Sequence, residues 1–455
     1  MSRKTERLRV INSPHAVPRF LKILTNLKYR LIVEGVAVGA LAGILVSAFR
    51  VALSKADEMR TILVEAAHEK FIVAIWCLLL LAFLAAGIAF IVLREPMCSG
   101  SGIPQVKGEL EGKIKAKWLN VIIAKFAGGV LSMSAGLALG REGPSIQLGA
   151  MTGKGFSRLS GRFRNEEKLL MTCGAGAGLA AAFGAPLAGV VFALEELHKN
   201  FSTDILLSTM AAAITGDWVA SSIFGLKPAF SLHMDVVIPL SHYWMIILLG
   251  ILLGALGVLY NRCIALSQNF FGSLKPAWLK VVIPCVVIII LAAIYPVALG
   301  SGHNLVESAS WGTSGIKTMA VLLAVKFVFS IMSFGTGAPG GIFLPLLVLG
   351  ALSGGLFAQL VSACGGCADS HVAYFVILGM AGMFASIVRA PVTGIILISE
   401  MTRIFYNMLP LAIVTFVAYI TAEMLGGVPI YDQLLDRFMS MQKSKQDRRK
   451  TINVK

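Results

Sequence analysis

Charged residues are scarce in this chain, and segments that alternate polar and apolar residues are missing. Asp, Glu, Lys and Arg make up 14% of its 455 residues, whereas soluble domains carry about 25%. This deficit argues against a soluble globular protein and indicates that lipid is the solvent. The missing alternation argues against a membrane-spanning β-barrel. The chain is therefore predicted to be an all-helical membrane protein.

Long polar stretches are also lacking, so the sequence predicts one membrane domain without an appended soluble module. Several apolar runs approach the roughly 20 residues that a helix needs to cross a bilayer. The runs are Leu31–Ser54, Phe71–Leu93, Leu119–Leu139, Ile205–Phe224, Trp244–Tyr260, Val281–Leu299, Met319–Ser333, Val372–Ser399 and Leu409–Leu425. We expect a transmembrane domain over residues 31–431, between a basic N-terminal segment (1–30) and a short basic tail (432–455).

Positive charge is concentrated at the two ends of the chain. The formal net charge is +16, which in a soluble protein would suggest a nucleic-acid partner. Here the basic residues cluster before Leu31 and after Tyr431, and membrane proteins keep such clusters in the cytoplasm. We therefore predict cytoplasmic termini, an even number of crossings and no nucleic-acid partner. The first apolar run starts too late for a cleavable signal peptide.

Signals for cofactors are absent from the sequence. It contains no GxxxxGKS/T nucleotide loop, and we expect neither a cofactor nor a metal. Cys364 and Cys367 form a Cys-Gly-Gly-Cys segment in a predicted loop. A disulfide or a metal ion is a possible role for this pair, but two thiols alone do not make a zinc site.

The chain repeats itself in two blocks. Residues 174–197 align with residues 379–402 at an offset of 205, so that Glu195 falls on Glu400 and one Ala-Pro pair falls on another. Chance matching of small residues could produce one such block. A second block in the same order makes chance a poor explanation.

That second block aligns residues 140–153 with residues 341–354 at an offset of 201. Two halves with Gly/Pro-interrupted segments in matching positions are typical of transporters, whose substrate site lies near the midplane where broken helices meet. We predict that the halves span roughly residues 31–225 and 237–425.

Three Gly/Pro segments are predicted to start helices. They are Gly100–Pro104, Gly140–Pro144 and Gly340–Pro345, and each places proline near a first turn, where its missing N–H costs nothing. Helix N-termini present unpaired amides and roughly half a positive charge. Several of them aimed at one point form an anion site, which can replace the hydration of a halide.

Lys125 and Lys326 lie inside apolar sequence, each before one of these breaks. A lysine near the midplane is expensive, so it should face the protein interior, where it gives a field that favours anions. The alternative is that each lysine reaches out to the membrane interface.

These motifs resemble those of the CLC family of chloride channels and chloride/proton exchangers. The matching segments are GSGIP at Gly100–Pro104, GREGP at Gly140–Pro144, GGIFLP at Gly340–Pro345 and a late Tyr431. The resemblance implies an all-helical fold of two inverted repeats, with broken helices meeting at a midplane anion site. It also implies a homodimer with one pore per subunit. Because regulatory domains are lacking, it suggests the inner membrane of a prokaryote.

The resemblance assigns an anion site residue by residue. Ser101 and Tyr431 match hydroxyls that coordinate the central anion, while Ile342 and Phe343 would supply backbone amides. Arg141 would sit at the outer site. The complete predicted set is Ser101, Gly102, Ile103, Arg141, Gly143, Ile342, Phe343 and Tyr431. Serine at position 101 favours chloride over nitrate within the family, although taken alone this serine would suggest a helix cap.

Glu142 matches the gating glutamate of the family, which also receives protons from outside. A carboxylate among anion-seeking amides competes with the anion, and protonation releases it. The alternative is an ordinary first-turn glutamate that balances the helix macrodipole.

Glu196 matches the internal proton glutamate of family exchangers, and Glu195 matches a second glutamate in related exchangers. The residues alone also allow both carboxylates to lie at the water interface. Glu400, the repeat counterpart of Glu195, is expected to be structural.

Glu142 and Glu196 together favour an electrogenic antiporter that exchanges chloride for protons. The first alternative is a voltage- or pH-gated passive chloride channel. An unrelated transporter of another anion is the second alternative. A membrane enzyme with Glu142, Glu195 and Glu196 as acid/base groups is the third, and the sequence offers it no nucleophile constellation.

Overall fold

The structure of the protein, a computed structural model, describes residues 16–199, 201–232, 238–274, 279–312, 315–364, 371–406 and 408–453. Cys367 and the basic side chains before Tyr29 and after Lys443 lie outside this description, so the expectations that rest on them remain predictions.

Helices make up almost all of the described part. They are α1 (Ala16–Glu69), α2 (Phe71–Arg94), α3 (Ile103–Leu110), α4 (Trp118–Ser134), α5 (Glu142–Leu159), α6 (Arg164–Phe183), α7 (Pro186–Phe192), α8 (Thr203–Phe224), α9 (Tyr243–Ser273), α10 (Leu279–Ile294), α11 (His303–Ser310), α12 (Ile316–Gly335), α13 (Phe343–Ala363), α14 (Val372–Val388), α15 (Pro391–Thr402), α16 (Met408–Met424) and α17 (Ile430–Asn453). Short 3₁₀ turns lie at Pro96–Cys98, Leu240–His242 and Pro296–Ala298, and a π-turn lies at Ala193–His198.

Five described helices are long and apolar enough to cross a membrane: Tyr29–Glu69, Phe71–Arg94, Leu240–Ser273, Ile316–Gly335 and Phe343–Ala363. These helices differ in how much of their surface is buried inside the protein. Only 17% of the most apolar window of Phe71–Arg94 is buried inside the protein, against 78% for Phe343–Ala363. An apolar helix that is open on most sides needs lipid around it, whereas α13 belongs to the core.

The two halves, α1–α8 and α9–α16, follow the same order of helices. The clearest pair is α3 and α11, which have 8 residues each and follow a 3₁₀ turn that begins with proline. The Gly-Ser-Gly of residues 100–102 returns at residues 300–302, a match that lies outside the two predicted blocks.

Lys125 and Lys326 perform the same task in the two halves. Lys125 Nζ donates to the carbonyl oxygens of Cys98 (2.9 Å) and Gly100 (2.5 Å). Lys326 Nζ donates to those of Ala298 (3.0 Å) and Gly300 (2.6 Å). Both lysines are fully buried, so the alternative that they reach the interface is wrong. Their charge lies inside the protein, beside the turns that lead into α3 and α11.

Glycine pairs allow α5 to touch α6 and α13 to touch α14. A Cβ on Gly149 would overlap the carbonyl oxygen of Gly174, and a Cβ on Gly174 would overlap that of Gly149. Gly350 and Gly379 make the same reciprocal contact in the second half. The backbones of α5 and α6, and of α13 and α14, are therefore in direct contact, as small residues permit in membranes.

Two glutamates cap helices across the halves. Glu195 accepts hydrogen bonds from the backbone N–H groups of Val392 (3.3 Å) and Thr393 (2.7 Å) at the start of α15. Glu400 accepts them from Leu187 (3.1 Å) and Ala188 (2.7 Å) at the start of α7. Reciprocal contacts between equivalent positions are what a two-fold axis produces. The structural role expected for Glu400 is a helix cap.

Candidate anion and proton sites

Three glycine-rich loops meet where α3, α5 and α13 begin. Gly140 and Gly341 exchange two backbone hydrogen bonds of 2.7 Å each. Gly100 accepts one from Gly340 at 3.0 Å and donates one to Gly337 at 3.2 Å. These bonds join the first half to the second and bring the three predicted helix breaks together.

The three helices begin at this point without side-chain caps. Their N-cap residues in the described structure are Gly102, Arg141 and Ile342, and none forms a side-chain capping hydrogen bond. Gly102 has φ of 94°, a left-handed conformation that glycine adopts without strain. First-turn amides and the positive ends of the macrodipoles converge where the loops meet. This is the arrangement that binds anions.

Ser101 lies against Gly143 at the centre of this arrangement. A Cβ on Gly143 would overlap the Ser101 hydroxyl and lie 2.7 Å from the Ser101 carbonyl oxygen. Ser101 is buried, and its hydroxyl has no hydrogen-bond partner among the described residues. The helix-cap alternative for Ser101 is therefore wrong, because Gly102 is the N-cap. A buried hydroxyl without a protein partner can donate to an ion.

Tyr431 lies in the first turn of α17, so the predicted tail begins inside a helix. Its side chain is fully buried, and its hydroxyl also lacks a partner in the described part of the chain. The tyrosine ring meets Phe192 edge-on at 6.4 Å between centroids, and Phe192 meets Phe343 at 6.3 Å. Phe343 is the first residue of α13, so aromatic contacts link the tyrosine to this helix end.

Glu142 is the first residue of α5 and is fully buried. Neither carboxylate oxygen has a hydrogen-bond partner within the described residues, and Arg141 Nε lies 3.9 Å from Oε1. A Cβ on Gly140 would overlap Oε2 and lie 3.0 Å from the Leu344 amide nitrogen. The carboxylate is therefore near the first turns of both α5 and α13. It lies in the positive region that an anion would occupy.

Glu196 belongs to a buried ion pair. Its Oε1 accepts a hydrogen bond from Lys107 Nζ at 2.7 Å, and the two side chains are 6% and 1% exposed. Lys107 Nζ also contacts the carboxylate of Asp432. The alternative of a carboxylate at the water interface is therefore wrong for Glu196. Lys107 lies on the helix that follows Ser101, and Asp432 follows Tyr431, so these contacts reach the central site.

The π-turn sends the two neighbouring carboxylates to different partners. Glu195 accepts a further hydrogen bond from Thr393 Oγ1 at 2.6 Å, in addition to the backbone bonds at the start of α15. Glu196 points to Lys107 instead. Single π-helical turns are frequent at functional sites. The structure thus places Glu195 apart from the Lys107–Glu196 pair.

Comparison with known proteins agrees with this geometry. The family model described as voltage gated chloride channel matches residues 81–423. The chain belongs to this family. Its relatives include the H(+)/Cl(-) exchange transporter ClcA of Vibrio cholerae (strain ATCC 39541), which is 35% identical over 423 residues, or 90% of each chain. The ClcA transporter of Salmonella typhimurium is 34% identical over 90% of this chain and 89% of its own.

Solved structures of the voltage gated chloride channel family share the fold. The structure of a slow cyanobacterial Cl-/H+ antiporter is 33% identical and has a TM-score of 0.87, covering 91% of this chain and 99% of that one. A eukaryotic CLC transporter, 22% identical, shows the same fold with a TM-score of 0.76 over 91% of this chain and 75% of its own. The predicted fold of inverted helical repeats is confirmed.

The sequence arguments missed two polar residues of this family member. Lys107 is the fifth residue of the short helix after Ser101, and a charge so close to the predicted midplane anion site was the available signal. Gln147 donates its amide to the Met97 carbonyl at 2.8 Å, and a Cβ on Gly102 would overlap its side-chain oxygen. It joins α5 to the loop before α3. A glutamine in the sequence does not by itself indicate this role.

Proposed function

We propose that the chain is an electrogenic antiporter that moves chloride, and similar small anions, in one direction and protons in the other. One observation carries the proposal. Glu142 is a fully buried carboxylate with no hydrogen bond in the described structure, and it lies between helix N-termini that attract anions. The relatives named above as H(+)/Cl(-) exchange transporters support it.

Chloride and the Glu142 carboxylate compete for the same amides. Protonation of a Glu142 oxygen removes its charge and its attraction to the helix ends, so chloride takes its place. The hydroxyls of Ser101 and Tyr431 then donate to the ion, with the amides at the start of α13. When chloride leaves, Glu142 gives up its proton and returns. Opposite charges moving in opposite directions add, and each elementary charge is driven by about 2.3 kcal/mol per 100 mV.

Glu196 is the proposed proton carrier on the cytoplasmic side. It is buried and lies on the turn after α7, in contact with the α3 helix that begins beside the anion site. Glu195 was the second candidate for this role. Because its carboxylate caps α15, we assign the proton to Glu196 and a structural role to Glu195.

The family resemblance and exposed apolar side chains support a proposal for the assembly and the location. Ile214 and Trp218 on α8 are 52% and 70% exposed, and Phe416 and Ile420 on α16 are 47% and 52% exposed. Such surfaces need lipid or another copy of the chain. We propose a homodimer with one pore per subunit in the inner membrane of a prokaryote, with both termini cytoplasmic, and no enzymatic activity.

One contact favours the alternative of a passive chloride channel. The positive charge of a buried lysine favours the ionised form of a glutamate beside it, and Lys107 and Glu196 form such a pair. In a channel, Glu142 would act as the gate for chloride and Glu196 would have no role in conduction.

Reversal potentials in planar bilayers separate the two functions. With equal chloride on both sides and a pH gradient across the bilayer, an antiporter gives a non-zero reversal potential whose sign follows the gradient. A passive chloride channel gives a reversal potential of zero under the same conditions. The second result would refute the proposed proton coupling.

A further inference from the structure

A row of alternating charges leads from solvent to Glu196. Lys199, 53% exposed, lies 3.4 Å from Asp432, which is 35% exposed. Asp432 contacts Lys107, and Lys107 binds Glu196, both of which are nearly fully buried. We refer to Lys107, Glu196, Asp432 and Lys199 as the Lys107 cluster. Its members come from α3, the π-turn with the residue after it, and α17.

Two other charged groups lie near the solvent side of this cluster. Lys113, in the loop after α3, interacts electrostatically with Asp432 and Asp436 and forms an ion pair with Glu111 at 2.7 Å. Asp436 is exposed and lies one turn after Asp432 on α17. Neither is within contact distance of Glu196 in the described ion pairs.

Lys107 creates a difficulty for proton transport. Its ammonium group stabilises ionised Glu196, and a proton that binds Glu196 removes the negative partner of a buried lysine. A buried charge that loses its partner is strongly destabilised. A proton-carrying glutamate in this position therefore needs a second carboxylate that keeps the lysine neutralised.

Asp432 meets this need without a large movement, because Lys107 Nζ already contacts both carboxylates. We infer that Lys107 and Asp432 are positioning residues for proton transport, and that Lys107 shifts its ion pair from Glu196 to Asp432 whenever Glu196 takes up a proton. The inference rests on the proposed function. The proton comes from cytoplasmic water and binds one Glu196 oxygen, no covalent bond between heavy atoms changes, and the Lys107–Asp432 pair remains neutral.

The shift also gives Lys107 and Asp432 opposite signatures. Without Asp432, Lys107 holds Glu196 ionised, so proton uptake requires a lower cytoplasmic pH. Without Lys107, ionised Glu196 loses its cation, so proton uptake proceeds at a higher pH. Removing both charges cancels the two effects. A residue that merely supports the fold does not produce opposite shifts that cancel.

The test measures coupled proton and chloride fluxes in proteoliposomes as a function of internal pH. We expect Asp432→Asn to lower the pH midpoint of proton transport by about one unit, a tenfold change in proton affinity, and to reduce protons moved per chloride. Lys107→Gln should shift the midpoint upward. The double variant Lys107→Gln/Asp432→Asn should return towards the wild type and regain coupling.

Asp432→Glu, which keeps the carboxylate, should keep the wild-type midpoint, and Asp436→Asn is the matched control on the same helix. The inference is overturned if wild-type protein moves protons and Asp432→Asn matches it in midpoint and coupling. It is also overturned if the double variant is no better than Asp432→Asn. Should Asp432→Asn lose chloride flux through misfolding, the double variant and Asp432→Glu decide the question. A wild type without proton flux refutes the proposed function instead.

Discussion

At the scale of single residues, the central site depends on the absence of a side chain at Gly143. The Ser101 hydroxyl occupies the place where a Cβ on Gly143 would lie. Gly143→Ala must therefore push Ser101, or the whole start of α5, away from its position. We expect chloride affinity to fall about tenfold, which corresponds to roughly 1.4 kcal/mol, in calorimetric titrations of purified protein with chloride.

Gly315→Ala is the control for this measurement. A Cβ at position 315 meets no atom of the described residues within 4 Å, so affinity should be unchanged. If Gly143→Ala binds chloride as well as Gly315→Ala does, Ser101 is not held in the anion site by the close approach described above.

At the scale of helices, the contact between glycine backbones decides how α5 and α6, and α13 and α14, align their N-termini. Gly174→Ala and Gly379→Ala each insert a methyl group where a carbonyl oxygen lies. Overpacking of this kind costs about 1–3 kcal/mol. Each substitution should lower the temperature of thermal aggregation in detergent, and Gly315→Ala should not. Wild-type thermal stability in both variants would show that the helices do not touch in this way.

At the scale of the whole molecule, the two halves are locked by the reciprocal caps of Glu195 and Glu400. Losing a cap typically costs about 1 kcal/mol. Glu195→Gln and Glu400→Gln should therefore destabilise the protein by similar amounts in thermal unfolding. Because neither glutamate belongs to the proposed proton route, both variants should keep the wild-type ratio of protons to chloride. A loss of coupling in Glu195→Gln alone would return this residue to the proton route.

The sequence supports the fold at this scale because glycine and proline mark the three helix breaks that meet at the anion site. The breaks at residues 100–104, 140–144 and 340–345 could be located, since their residue types are needed for that backbone and for little else. The 201-residue offset of the second repeat block also carries Lys125 onto Lys326. Their orientation could not be predicted, because an apolar run allows a lysine to point either inward or outward.

The Lys107 cluster could not be predicted for a different reason. Lys107 and Glu196 are 89 residues apart in the chain, and Asp432 comes from the last helix. Their meeting depends on how α3, the π-turn and α17 pack, which a single sequence does not specify. Glu195 and Glu196 likewise have different partners because of the π-turn. The hydrophobic periodicity of the sequence does not reveal such a turn.

The most direct measurement is proton movement in proteoliposomes under an outward chloride gradient, with Glu142→Gln and Glu196→Gln alongside the wild type. The account predicts that chloride efflux drives protons inward in the wild type and that either substitution abolishes this coupling. Chloride efflux from the wild type without any proton movement would contradict it and make the protein a passive channel.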